Sequence, residues 1–255
     1  GTQPILGYSD AEHLRPILNT ASSYDPKNPY ANRDPRFYAS VYYNGAIRYL
    51  DQPNGDVVET YVGGNCGISD KVTDIRYTRT GYYMRKFNNF KSGIGQDADG
   101  LMRIFRLAEL YLNFAEAAYQ AVGPDGQVVS KVGAEALSAR DAVNKIRVRA
   151  GIPALSSGMS KDSFEKRYRN ERRVELAFEE HRFFDVRRWK ILNETDDFVT
   201  GMKIVKEEDG TFTYNRIKLA SRGTNADKYL LYPIKQTEVA KMLKHTGANW
   251  QNPGW

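Results

Sequence analysis

The sequence predicts a mainly α-helical fold: helical hairpins of the tetratricopeptide kind, carrying long irregular loops and small β-hairpins. Three observations lead there. Two alanine-rich segments, 104–122 and 134–150, repeat apolar residues at helical spacing and end on stop signals, Gly123-Pro124 and Gly151 with Pro153. A third, 164–189, keeps helical spacing but places carboxylates and aromatics on one face. The N-terminal part, 1–100, lacks such periodicity and is rich in turn residues.

Taken in order, Asp10 is placed to cap a short helix through Ala21, with Pro16 limiting its length. A Pro- and Asn-rich loop follows, through Tyr24-Asp25-Pro26 and Asn32-Arg33-Asp34-Pro35-Arg36-Phe37. Alternation over 37–43 and 56–62 predicts short strands. Gly63-Gly64-Asn65-Cys66-Gly67 is a connector; it lacks the Lys-Ser/Thr pair of a P-loop and the strand-to-helix setting of a dinucleotide fingerprint. Residues 80–90 are aromatic and basic. Asp97-Ala98-Asp99-Gly100 reads as a turn, because no further spaced acidic ligands complete a calcium loop.

In 104–122 the inward stripe is Leu107, Ala108, Tyr111, Phe114, Ala115, Ala118 and Val122, with Glu109 and Glu116 close to one face. In 134–150 it is Leu137, Ala142, Val143 and Ile146. The two make an antiparallel helical hairpin whose second face needs a neighbour, and the opening helix is the expected one. Asp162 with Glu165 offers a capping-box start to the next helix. There Glu171, Glu175, Glu179 and Arg182 share a sector with Tyr168, Phe178, Val186 and Trp189. An unpaired charge among aromatics is prohibitively costly. The stretch therefore predicts a buried, ion-paired core helix, broken near its end and neutralised by Arg172, Arg182, Arg187 and Arg188. Arg172, Glu175, Glu179, Arg182, Asp185 and Arg188 are its structural ion-pair core. Beyond Asn193, segments 203–205 and 212–219 predict a hairpin around Asp209-Gly210. Residues 229–234 are an extended apolar piece, and Thr237 caps a short helix to Leu243.

Composition narrows the function. The net charge of +6 comes with arginines interleaved with carboxylates, unlike the basic stripe of a nucleic-acid binder, so no nucleic-acid partner is expected. Cys66 is the single cysteine, which excludes an intramolecular disulfide and a thiolate metal site. His13, His181 and His245 show no metal-ligand spacing, and neither metal nor cofactor is expected. No apolar run is long enough to span a bilayer, and no signal peptide opens the chain.

The glutamates at 171, 175 and 179 raise a glycosidase reading, since such enzymes use paired carboxylates. Those pairs must face each other across a cleft, about 5 Å apart or wider. Residues four apart on one helix lie side by side, and tight pairing to arginine removes the general acid. With no Ser/His/Asp or Cys/His constellation, the chain reads as non-enzymatic. Its 17 tyrosines suit sugar capture, in which aromatic faces stack on the ring while Arg, Asn and Asp meet the hydroxyls. The candidate ligand-binding residues are Tyr30, Tyr42, Tyr43, Arg48, Tyr61 and Tyr82, with Asn44, Tyr49 and Tyr83 beside them. The same tyrosines also fit a half-buried strand facing a core.

Five motifs resemble the SusD/RagB family. They are Asn32-Arg33-Asp34-Pro35-Arg36-Phe37, the helix 105–117, the segment 143–152, the block from Glu171 to Trp189, and the C-terminal Tyr232-Pro233-Ile234 with Gln251-Asn252-Pro253-Gly254-Trp255. Lys235, Glu180 and Trp255 depart from its pattern, standing where it usually has Pro, often Gly and often Tyr. The resemblance covers the C-terminal half of a typical member, so residues 1–255 are expected to be a SusD/RagB-like C-terminal domain of a longer protein. Its parts are an irregular 1–100, a helical core 101–193, and a hairpin with tail 194–255. The resemblance implies a surface-exposed outer-membrane lipoprotein of Bacteroidetes-type bacteria, used in starch or glycan utilisation. It would capture oligosaccharides for import through a SusC-like TonB-dependent transporter. By the same resemblance, the membrane would be reached only through a lipid anchor absent from this chain. The alternative is a helical-repeat scaffold that binds peptides or proteins. The resemblance carries no ligand contact over by motif.

Overall fold

The computed structural model describes residues 4–48, 55–68, 77–89, 103–129, 135–195, 198–223 and 227–255. Among them are six α-helices and four two-stranded antiparallel sheets, so the fold is mainly helical. The chain opens on a hairpin, β1 (Ile5–Tyr8) with β2 (Pro16–Leu18), where a helix from Asp10 was expected. The Asp10 carboxylate accepts the backbone N–H groups of Glu12, Leu14 and Arg15. It thus serves a loop instead of a helix end, the local competition typical of Asp.

The alternating stretch 37–43 is mostly helical too. Asp34 accepts the Arg36 N–H as an N-cap and Pro35 fills the first turn, so α1 (Pro35–Ser40) forms. Only β3 (Val41–Tyr42) is strand, paired with β4 (Tyr83–Met84). Over 56–62, Val57 alone bridges, to Ile47. The turn at 97–100 lies outside the described residues.

The core is three helices. α2 (Leu107–Val122) leads through β5 (Gln127–Val128) and β6 (Leu137–Ser138) into α3 (Ala139–Arg149). The β5–β6 pair closes the connection, and Ser138 caps α3 by accepting the Asp141 N–H, which sets its start beyond residue 134. α4 (Lys161–Glu175) is capped by Ser160, which accepts the Ser163 N–H. Glu165 does not complete a capping box; it receives the Tyr119 hydroxyl and Arg169. Ala115, Ala118 and Ala142 keep α2 and α3 close, while Phe164 and Tyr168 of α4 pack on Tyr119. The neighbour that completes the hairpin is therefore α4, not the opening segment. The inward face of α2 is centred on Leu112, Ala115 and Tyr119; Leu107 and Val122, at its two ends, are exposed.

The charged helix is cut in its middle. α4 stops at Glu175 and α5 (His181–Arg188) starts after Phe178 and Glu180, which hold φ of 65° and 64°. Left-handed backbone costs a residue with a Cβ about 1–2 kcal/mol. Phe178 consequently turns outward to half exposure, away from the core face expected for it. Glu180 stands where the resembled family often has glycine, and this φ is the physical reason. Glu180→Gly is expected to raise unfolding free energy by up to about 1 kcal/mol, part of the relief being offset by the extra freedom of glycine in the unfolded chain. Urea denaturation reads the gain; a lowered midpoint would remove strain as the explanation.

The expected hairpin forms and is longer: β7 (Phe198–Lys206) pairs with β8 (Phe212–Ser221), and Asp209 accepts the Thr211 N–H and hydroxyl in the turn. Asp227–Leu230 is a 3-10 turn, so the piece from Tyr229 onward is not extended from its start. α6 (Gln236–Thr246) has Lys235, not Thr237, at its N-cap and runs past Leu243. Thr80 accepts the Met202 N–H at 2.9 Å, and Gly81, at φ 81°, lets that loop lie on β7. A Cβ there would run into the Met202 carbonyl oxygen.

Candidate functional site

The carboxylates of α4, and Glu179 in the break after it, draw their partners from distant segments. Glu171 holds Arg36 and Arg147; Glu175 holds Arg36 at 3.0 Å, Arg106 at 2.7 Å and Arg149. Glu179 holds Arg106 and Lys86. Burial works to raise the Glu175 carboxyl, but hydrogen bonds from Arg106 and Arg36 more than offset it and hold the group below the usual carboxylate range. Of the arginines expected to neutralise these glutamates, Arg172 and Arg188 instead hold Asp185, at 2.8 Å each. Arg188 also reaches Glu116, which further accepts the Tyr168 hydroxyl and the Trp189 indole N–H. Arg187 donates to the carbonyls of Tyr229 and Phe183. Arg182 makes no ion pair among the described residues, and burial together with the neighbouring Arg173 lowers its pKa. The network thus ties α1, through Arg36, to α4, and fixes the irregular segment that follows.

That segment separates two clefts. Tyr42 and Tyr43 are consecutive at β3, so the pleat sends them to opposite sides. On the Tyr43 side lies an aromatic cleft of about 480 Å³. Its floor is Tyr30 against Tyr43 at 4.7 Å, with Tyr38 donating its hydroxyl to the Tyr30 carbonyl. The β7–β8 hairpin supplies the far wall. Val62 donates to Ile204, which brings Tyr61 to 5.5 Å from Phe212, while Tyr214 meets Tyr30 edge-on. Asn28, Asn44, Glu59 and Lys206 stand among these rings. Burial raises the phenol pKa of Tyr30, Tyr43 and Tyr214, so these hydroxyls stay protonated at neutral pH. An arrangement of flat apolar faces with amide and carboxylate groups between them can hold a ring that has an apolar face and a hydroxyl rim.

On the Tyr42 side lies a cleft of about 590 Å³ with a basic lining that includes Arg36, Arg48, Arg85, Lys86, Arg103, Arg106 and Arg149, and Glu175 at its base. The sequence-derived set is accordingly divided. Tyr30, Tyr43 and Tyr61 line the aromatic cleft; Tyr42 and Arg48 line the basic one. Tyr82 lines neither and packs edge-on behind Tyr30. Tyr83 is tied to Thr78 and Cys66 through its hydroxyl, and Tyr49 lies outside the described residues. Tyr38, Phe212 and Tyr214 were missed. The signal for the last two is present: aromatics two apart on a strand share one face.

Among the described residues no group of three or more His, Cys, Asp or Glu side chains could hold a metal ion, and no helix is long and apolar enough to cross a membrane.

The SusD family model matches residues 17–255. The chain belongs to the SusD family. A crystal structure of a SusD superfamily protein from Bacteroides vulgatus is similar, at 20% identity and a TM-score of 0.46. The match covers 100% of this chain and 48% of that one, so this SusD-family chain spans about half the length of that relative. Comparison with curated proteins gives no match.

Proposed function

We propose that this SusD-family chain is part of a cell-surface binding protein that captures oligosaccharides for import through a SusC-like TonB-dependent transporter at the outer membrane. The observation that carries this reading is the aromatic cleft. Tyr43, Tyr61, Phe212 and Tyr214 present ring faces and edges over the buried Tyr30, with Asn28, Glu59 and Lys206 placed to meet hydroxyls. Family membership supports it. Binding without catalysis is supported by Glu175 and Glu179, which are paired with Arg36, Arg106 and Lys86 and held below the ordinary carboxylate range, so neither suits a general acid.

Calorimetry with a panel of oligosaccharides tests the reading. Tyr61 and Phe212 sit together at the rim, their rings 5.5 Å apart and only partly buried. Tyr61→Ala or Phe212→Ala is expected to weaken the bound oligosaccharide about tenfold, the loss of one stacking face, with the melting temperature unchanged. Affinity for peptides alone, untouched by either substitution, would overturn it in favour of a peptide-binding scaffold.

A further inference from the structure

The basic cleft is separate from the aromatic one, and its charges do not cancel among the described residues. Arg36, Lys86, Arg106 and Arg149 share Glu171, Glu175 and Glu179 in the network beneath it. Two further guanidinium groups on the wall have no carboxylate partner among the described residues. Arg85 donates to the Tyr38 carbonyl and stacks on Tyr42; Arg103 only stacks on Phe87, at 5.9 Å. A concave surface of one sign focuses potential on what enters it, and guanidinium forks match planar or tetrahedral oxyanions.

Phe87 identifies the rest of the ligand. It stands at this cleft half exposed, with φ of 70°, and carries Lys86 and Arg103 against its ring. A left-handed phenylalanine is strained, and this one leaves an apolar ring half exposed beside cations. A simple inorganic anion has no use for that ring. A sugar carrying a negative charge uses both, its ring face on Phe87 and its anion on Arg85 and Arg103.

We infer that the basic cleft is a second saccharide site, selective for acidic sugars, in which Arg85 and Arg103 bind a carboxylate or sulfate substituent while Phe87 stacks on the ring that bears it. This deepens the capture reading and rests on it for the saccharide, though not for the anion.

Calorimetry on the whole chain with four probes tests it: a neutral glucose oligomer, an oligogalacturonate, a sulfated chondroitin oligosaccharide and inorganic sulfate. The expected result is binding of at least one acidic oligosaccharide, weakened by added salt. Arg103→Glu is expected to weaken it by about tenfold or more. The oligogalacturonate and chondroitin arms show whether carboxylate or sulfate is preferred. Arg103 is exposed and makes one ring contact, so its substitution leaves the fold intact; Arg103→Gln serves as the milder variant. Phe87→Ala is expected to weaken the acidic oligosaccharide and leave sulfate unaffected. Neutral and acidic oligomers binding alike, insensitive to Arg103→Glu, would overturn the acidic site and leave glycan capture standing. Sulfate binding lost in Arg103→Glu, with no acidic oligosaccharide bound, would reduce the site to a free-anion site and overturn the acidic-sugar assignment, while glycan capture stands or falls on the oligosaccharide panel above.

Discussion

Glu175→Ala is expected to lower the unfolding free energy by about 3 kcal/mol, because the buried Arg36 and Arg106 each lose one of their carboxylates and keep only Asp34 with Glu171 and Glu179, respectively. For a chain of this size that is a fall in melting temperature on the order of 10 °C. The Glu175 side chain is 3% exposed and receives Arg36 from α1, Arg106 from the approach to α2 and Arg149 from the end of α3. It therefore joins three segments that are far apart in sequence, and its loss loosens all of them at once. Glu175→Gln keeps the shape and one acceptor oxygen, so it should cost less. Arg149→Ala should cost under about 1 kcal/mol, since that side chain is mostly in water. Urea denaturation at constant m-value gives all three. A Glu175→Ala variant that unfolds at the unsubstituted midpoint but no longer binds ligand would show that Glu175 serves the basic cleft and not the framework.

The parts of the fold legible in sequence are those set by local chemistry. α2 and α3 announce themselves through alanine-rich helical spacing and through Gly-Pro stops, and the β7–β8 hairpin through Asp209-Gly210. The failures have identifiable causes. Residues 37–43 alternate as a strand does, yet Asp34-Pro35 is a helix start, and the cap outweighs the alternation. The break is expected near the end of the stretch but falls in its middle, at 176–180, because Phe178 and Glu180 carry left-handed backbone that sequence assigns to glycine.

The site was half legible for a different reason. Tyrosine density marked the right region, but a pleat divides Tyr42 from Tyr43, and no composition argument can assign them to separate clefts. Phe212 and Tyr214 reach the aromatic cleft across some 150 residues of chain, by the anchoring of Val62 on Ile204 and of Thr80 on Met202. The same holds for the ion pairs. Helical spacing showed that the glutamates of α4 need cations; that these are Arg36 and Arg106, and not the arginines of α5, is a tertiary fact.

The ion-pair framework also fixes how stability depends on pH. Burial would raise the carboxyls of Glu116, Glu175, Glu179 and Asp34, but hydrogen bonds from Arg188, Arg106 and Arg36 outweigh it, so all four lie below their ordinary values. A depressed carboxylate binds protons less readily when folded than when unfolded, so its contribution is complete above the unfolded value, 4.5 for glutamate, and is lost as pH falls through the folded value. Stability should therefore be level between pH 7 and 5 and fall steeply below about 4.5. Tyrosines set the opposite edge. Burial raises Tyr30 and Tyr168, and Tyr119 is pushed up to about 12, so their contribution is complete below pH 10 and is lost as pH rises through the folded values. Melting temperature measured from pH 3 to 11 should trace a plateau with these two shoulders. Glu116→Gln removes one depressed carboxylate while keeping an acceptor for Trp189, and should lower the plateau while softening the acid shoulder. An acid shoulder of unchanged steepness in that variant would mean that Glu116 and its pairing with Arg188 contribute nothing to acid sensitivity, and that Glu175, Glu179 and Asp34 set the shoulder.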